Sequence, residues 1–210
     1  MLIPILALWL SAQVGAETPT LEPPITAAQL QALKPLLEIG ELSLVQSDSG
    51  GRLKQVCVAG LIEASADIIW EVLIDYPAYP RIFKNLADLK VLKSEPQEAV
   101  LAYELEVPGS NLKYRLRHRY LERRAMEITL ADQQGDLKTG RWRWDLFPLP
   151  GGRETILTYT LYTDVRESSW ILRQALKTTP SLEHGLNVAT GMVTLQAVKR
   201  EAEARQAAQR

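Results

Sequence analysis

The sequence predicts an α+β domain: a curved antiparallel sheet wrapped around a long C-terminal helix, with two short helices after the first main strand. Three observations carry this. Residues 62–80, IEASADIIWEVLIDYPAYP, join a strand end to a capped amphipathic helix that two Tyr-Pro steps stop. Between Glu98 and Leu161, apolar and polar residues alternate through successive runs, the period of strands with one buried face. From Ser169 onward the spacing turns helical, is interrupted near Pro180 and continues beyond Val193.

Along the chain, Leu2 to Val14 is apolar apart from Ser11 and Gln13, and Val14-Gly15-Ala16 offers small residues before Glu17. No Lys or Arg precedes this run. We read 1–16 as a signal peptide, so the expected location is outside the cytoplasm, periplasmic or secreted. The run is shorter than the roughly 20 residues a membrane-spanning helix needs. Residues 17–40 read as a Thr- and Pro-rich linker and a short helix, with Thr26 as its cap and Leu33 near its end. The main domain is expected over 41–206. Leu42–Val45 and Arg52–Ile62 are strand-like, separated by SDSGG, a turn signal. Ser65 is a good N-cap for a helix carrying Ile68, Ile69, Trp70, Leu73 and Ile74, and Pro77 and Pro80 turn the chain after Asp75.

Glu98–Val107 and Leu112–Leu121 alternate in phase around Pro108-Gly109-Ser110-Asn111, which reads as a hairpin. If Val107 pairs with Leu112, Glu106 faces Lys113 and Glu104 faces Arg115. Leu101, Tyr103 and Leu105 then share the other face with Tyr114, Leu116 and His118. Met126, Ile128 and Leu130 continue the apolar face, followed by Trp142, Trp144 and Leu146, then Leu157, Tyr159 and Leu161. The expected sheet has one wet face and one dry. On the wet face, Lys113, Arg115, Arg117, Arg119, Arg141 and Arg143 interleave with Glu104, Glu106, Glu127 and Asp145, a ladder that sets register without building a strong positive field. At about 100° per residue, Leu182, Leu186, Ala189, Val193 and Ala197 form one helical stripe, widened by Gly185, Val188, Met192 and Leu195. Gly191 falls opposite.

Chemistry-bearing groups are few. Lys and Arg number 24 against 25 Asp and Glu, so nothing suggests a nucleic acid or other polyanion partner. Cys57 is the only cysteine, which excludes an intramolecular disulfide and fits a buried thiol in the Val56–Ile62 strand. His118 and His184 are the only histidines, too few for a multi-histidine metal site, and we expect neither metal nor cofactor. His184 falls on the polar side of the last helix. His118, among inward tyrosines, is open to three readings: a hydrogen-bonded structural group, a polar contact to ligand, or a proton-transfer group. Phosphate-cradling loops and the G-x-S-x-G and H-E-x-x-H motifs are missing from the sequence.

IEAS followed by VL, the D-Y-P-A-Y-P segment at Asp75–Pro80, the GRWRWDL strand at Gly140–Leu146 and the LTYTL strand at Leu157–Leu161 together resemble the START/polyketide-cyclase (SRPBCC) superfamily. They resemble its coenzyme Q-binding-protein-like branch in particular. The resemblance spans Gly40 to Ala204 and implies the helix-grip fold. It also implies a ligand cavity, in a superfamily of lipid carriers, quinone-binding proteins, plant hormone receptors and aromatic cyclases.

Our leading expectation is an exported carrier for a hydrophobic or amphipathic small molecule, such as a lipid, quinone or polyketide-like compound. From the sheet, its ligand contacts would be Tyr103, Leu105, Tyr114, Leu116, His118, Trp142, Trp144 and Tyr159. From the helix they would be Gly185, Leu186, Ala189, Met192, Val193 and Gln196. The rival readings are an aromatase/cyclase-type enzyme, with His118 or a tyrosine guiding ring closure, and an adaptor with a filled core. Transient membrane contact and oligomeric state stay open.

Overall fold

The computed structural model describes residues 21–106, 111–164, 166 and 170–209. The apolar leader, the expected strand end at 107 and all but Asn111 of the hairpin turn expected at 108–111 lie outside the described residues. Thr26 starts α1 (Ala27–Ala32) with a capping box closed by Gln29, and Pro35 sits in the first turn of α2 (Lys34–Leu37). Strands β1 (Leu42–Ser47) and β2 (Leu53–Ile62) follow. Between them, Asp48 Oδ1 accepts from the Gly50 and Arg52 amides, and Gly51 supplies the left-handed φ of 78°. Ser65 Oγ accepts from the Ile68 amide to cap α3 (Ala66–Ile74).

The expected break falls at Asp75, after which come a 3₁₀ turn (Tyr76–Ala78) and α4 (Tyr79–Ile82). Pro80 does not force its predecessor out of helical geometry, because it occupies the first turn of α4, where the missing amide has no helical partner to lose. Next come β3 (Leu86–Glu95), β4 (Glu98–Leu105), β5 (Leu112–Leu121), β6 (Ala125–Leu130), β7 (Gly140–Pro148) and β8 (Thr155–Thr163). Two helices complete the chain, α5 (Trp170–Thr178) and α6 (Leu182–Ala208). The fold is α+β, a curved antiparallel sheet of eight strands in the order β1-β2-β8-β7-β6-β5-β4-β3 gripping α6.

The β4–β5 hairpin differs from its expected register by two residues. Leu105 pairs with Leu112, Glu104 with Lys113 and Leu101 with Leu116. A slip of two preserves every side chain's face, so the inner and outer sets survive the correction. Glu106 leaves the ladder because its amide donates to the Asn85 carbonyl beside β3. The charged ladder forms with this register: Glu104 meets Lys113 at 3.3 Å, and Arg143 bridges Glu127 and Asp145, each at 2.8 Å.

The expectation of one wet and one dry face fails at one end of the sheet. There α1, α2 and the preceding Ile25 cover the outer side of β2 and β8, burying Leu30, Leu37, Cys57, Ala59, Leu61 and Ile156 together. The signal was the unbroken apolar run Val56–Ile62, which marks a strand buried on both faces.

The stripe expected on α6 is also corrected. The buried residues are Glu183, Asn187, Gly191, Leu195, Ala197, Val198 and Ala202, whereas Gly185, Ala189 and Val193 are exposed. Polar groups occupy the inward face near the helix start because groups outside the helix partner them, with only Glu183 Oε1 of the Glu183 and Asn187 side chains lacking a hydrogen bond among the described residues. Asn187 accepts from the Thr163 amide and donates to the Thr163 carbonyl, and Glu183 accepts from Arg166 at 2.6 Å. Gly191 then makes the close approach to the sheet: a Cβ there would lie 2.7 Å from Val58 Cγ2 and 3.0 Å from Leu161 Cδ2.

This geometry separates the two helix glycines. Gly191→Ala is expected to destabilise the fold by about 1–3 kcal/mol through overpacking. Gly185→Ala has open space around its new methyl and is expected to stabilise by up to about 1 kcal/mol through helix propensity. Urea unfolding of the two variants checks this, and equal effects would contradict the helix orientation.

Candidate functional site

On the sheet, α6, with α3 packed beside it, rests mainly on β2 and β8. Under its other flank, the curving strands β4, β5 and β7 enclose a cavity of about 250 Å³. Its wall combines three sources. The sheet supplies aromatic and aliphatic side chains, α4 supplies Tyr79 and its connection to β3 supplies Phe83 and Asn85, and α6 supplies Asn187, Thr190 and Thr194. Leu137 enters from the β6–β7 connection, which is tied to β5 by the Asp136 amide donating to the Lys113 carbonyl and the Lys113 amide donating to Asp136 Oδ2.

All eight sheet residues expected to contact a ligand line this cavity: Tyr103, Leu105, Tyr114, Leu116, His118, Trp142, Trp144 and Tyr159. The six helix residues do not. Ala189 and Val193 instead border a surface hollow of about 420 Å³ that shares Phe83, Asn85, Thr190 and Thr194 with the cavity and forms its mouth. Gly185 points to open space and Leu186 is half-buried away from the lining. Met192 packs near β1, with Ser43 Oγ at 3.4 Å from its sulfur. Gln196 donates to Glu41 Oε2 at 3.4 Å, so its amide is answered by protein. His184, expected in solvent, is half-buried with Nε2 at 3.2 Å from Ser47 Oγ.

The lining is aromatic and uncharged. Tyr103 stacks on Tyr114 with centroids 5.6 Å apart, and Trp144 on Tyr159 at 4.1 Å. Among the described lining residues there is no Asp, Glu, Lys, Arg or Cys. Among the described residues, none makes a hydrogen bond to the Tyr114 or Tyr159 hydroxyl or to the Trp142 or Trp144 indole N–H, and none of these four atoms is sealed off from open space. Burial pushes the Tyr103, Tyr114 and Tyr159 hydroxyls above the ordinary tyrosine value, so they stay protonated.

His118 is 1% exposed, with Tyr103 Oη 3.1 Å from Nε2 and Tyr76 Oη 3.4 Å from Nδ1. Burial lowers its pKa to about 3, so it is neutral at physiological pH. Tyr76 also lies 2.6 Å from Tyr120 Oη, while Tyr79 donates to the Leu73 carbonyl at 2.6 Å. Neither Tyr76 nor Tyr79 was singled out from the sequence. Their spacing of three within the D-Y-P-A-Y-P insertion, which puts them on one helical side, was the available signal.

The segment bordering the mouth is fastened to α6 by charge. Arg81 donates from both terminal nitrogens to Glu201, at 2.6 and 2.8 Å. Arg205 donates Nε to Glu201 at 2.8 Å and Nη2 to Asp75 at 2.6 Å. Hydrogen bonds from Arg81, and then from Arg205, hold the Glu201 carboxyl down at about 2.

Residues 62–207 match the family described as polyketide cyclase / dehydrase and lipid transport, and the chain belongs to that family. A search of curated proteins gave no match. Solved structures share the fold. An aromatase/cyclase from a Streptomyces species is 20% identical with a TM-score of 0.55, over 72% of this chain and 94% of its own. A STAR-related lipid transfer protein from Xanthomonas axonopodis is 18% identical with a TM-score of 0.53, over 78% and 93%. A START superfamily protein from Mycobacterium smegmatis is 20% identical with a TM-score of 0.51, over 74% and 99%. These likenesses show the shared fold, and neither they nor the family match reach the coenzyme Q-binding-protein-like branch.

Two pH responses follow from the site. Glu201 is depressed below its ordinary value, so its stabilisation is complete above about pH 4.3 and is lost as pH falls through about 2. Glu201→Gln should cost about 1–2 kcal/mol at pH 7, discounted for partial solvent screening, and flatten that acid limb in urea titrations. His118 is likewise depressed: the stability gained by keeping it neutral is full above about pH 6.5 and declines toward pH 3. Its ring NMR shifts should therefore stay constant from pH 8 to pH 5. A midpoint near 6.5 would contradict the buried placement.

Proposed function

We propose that the protein is a binding or carrier protein for one hydrophobic or amphipathic small molecule, held between the sheet and α6. The observation that carries this reading is the uncharged aromatic cavity with four polar heads left without protein partners. These heads open onto the cavity, where a few polar groups in an apolar lining serve to orient a ligand. A dry cavity of about 150 Å³ takes benzene, so the enclosed space suits a ring system of on the order of ten heavy atoms. A longer cargo, such as a lipid or a quinone tail, would extend through the mouth between Phe83 and Val193. A lipid, a quinone and a polyketide-like compound all fit these terms, and the coenzyme Q-binding branch is one form of the same reading.

A second reading, an aromatase/cyclase-type enzyme, is favoured by one feature: His118 faces the cavity beside Tyr103. It ranks below the carrier because a neutral imidazole with no neighbouring carboxylate is a poor general base or acid at neutral pH. We also propose that the apolar stretch from Leu2 to Val14 directs export, and that the exposed Val193 at the mouth favours brief contact with a membrane during loading. No helix among the described residues is long and apolar enough to cross a membrane.

Native mass spectrometry of protein isolated from its own cells should reveal a bound small molecule, and a uniformly ligand-free population would count against the carrier. Thr190, exposed and shared by cavity and mouth, offers a variant that blocks the cavity without disturbing the core. Thr190→Trp should weaken binding of 1-naphthol at least about tenfold by calorimetry, while thermal stability holds. Turnover of a polyketone substrate that vanishes in His118→Ala, with the fold intact, would favour the enzyme instead.

A further inference from the structure

Four side chains form a line through the interior. Tyr103 Oη, His118, Tyr76 Oη and Tyr120 Oη follow one another at 3.1, 3.4 and 2.6 Å. Tyr103 and His118 line the cavity, whereas Tyr120 lines an open groove beside Trp70 and Arg119 at the opposite end of β5. Each hydroxyl has one proton to donate, and neutral imidazole has one N–H and one bare nitrogen. Three links therefore share four protons, and two arrangements satisfy every link without leaving the buried Tyr76 proton unbonded.

In the first arrangement, Tyr120 donates to Tyr76, Tyr76 to Nδ1 of His118, and Nε2–H to Tyr103, whose own proton is free to enter the cavity. In the second, Tyr103 donates to Nε2, Nδ1–H to Tyr76, and Tyr76 to Tyr120. The spare proton then lies at the groove. The ring tautomer is set by which neighbour donates to it.

We propose that this chain is a hydrogen-bond polarity switch, which lets one position in the cavity donate to a carbonyl or accept from a hydroxyl. Passing from the first arrangement to the second moves each link's proton across its own bond toward the cavity. The exchange takes place before a ligand enters: Tyr103 passes one proton to water in the cavity as hydronium and Tyr120 takes one from hydronium at the groove, the two sides re-equilibrating through bulk solvent, so the residues and the solvent end with unchanged charge. The longest link, Tyr76 to His118, limits the exchange. The ligand half of the proposal rests on the carrier reading, and the chain itself does not. The cargo class it implies is a molecule met in both carbonyl and hydroxyl forms, such as a keto–enol pair.

The test is NMR of protein labelled with ¹⁵N at histidine, which reads the His118 tautomer directly. Saturating 1-tetralone, a carbonyl with no O–H, should drive His118 to the Nε2–H form, and 1-naphthol should shift it toward Nδ1–H. Tyr103→Phe should abolish both responses. In the free protein, Tyr120→Phe removes the acceptor at the far end and should shift the tautomer ratio toward Nε2–H by about fivefold or more. A His118 tautomer that is the same with either compound and in Tyr120→Phe would overturn the switch. If neither compound binds, the carrier reading is damaged for this ligand class, and the Tyr120→Phe comparison alone decides the switch.

Discussion

The structure depends on an asymmetric grip. α6 is pressed onto β2 and β8 where Gly191 admits Val58 and Leu161, and Asn187 extends the hydrogen bonding of β8 at Thr163. Those contacts fix the helix against one half of the sheet. The other half continues its antiparallel curve through β7, β6, β5 and β4 and encloses the cavity under the helix's free flank. A side chain in place of Gly191 would push the rod away from its seat and change the shape of everything beneath it.

The cavity gains its chemistry from the same division of labour. The sheet half supplies rings and hydroxyls, because alternate residues of long strands share one face. The helix half supplies small polar groups, Thr190 and Thr194, that leave room instead of filling it. The short helices after β2 close the remaining side. Their position is held by Tyr76 and Tyr79 inside and by the Arg81–Glu201–Arg205–Asp75 network outside. The mouth is thus bordered by a segment with an apolar anchor and a charged one.

Much of the sheet was legible in the sequence, since a period of two tolerates an error of two: the hairpin register was misjudged, yet Tyr103, Tyr114 and His118 kept their faces. The helix was less legible. Hydropathy alone placed Leu182, Ala189 and Val193 inward, because nothing local reveals that Glu183 and Asn187 will be satisfied by Arg166 and the Thr163 backbone. The same error put Gly185 on the inward stripe and Gly191 opposite it, whereas Gly191 is the one against the sheet. Tyr76 and Tyr79 were hidden in a segment whose prolines, which stop a helix, and whose family resemblance say nothing of where its rings point. The burial of both faces at β2 was written in Val56–Ile62 but was interpreted as a single dry side.

The layer formed by Ile25, Leu30 and Leu37 has a consequence for the one sulfur atom that could crosslink two molecules. Cys57 lies beneath it, fully buried, with burial raising its thiol to about 11. A disulfide forms by attack of the thiolate, so a covalent dimer can arise only after the amino-terminal helices have peeled from the sheet. The extent of oxidative dimerisation is then a clock for that local opening, built into the chain and independent of any cargo.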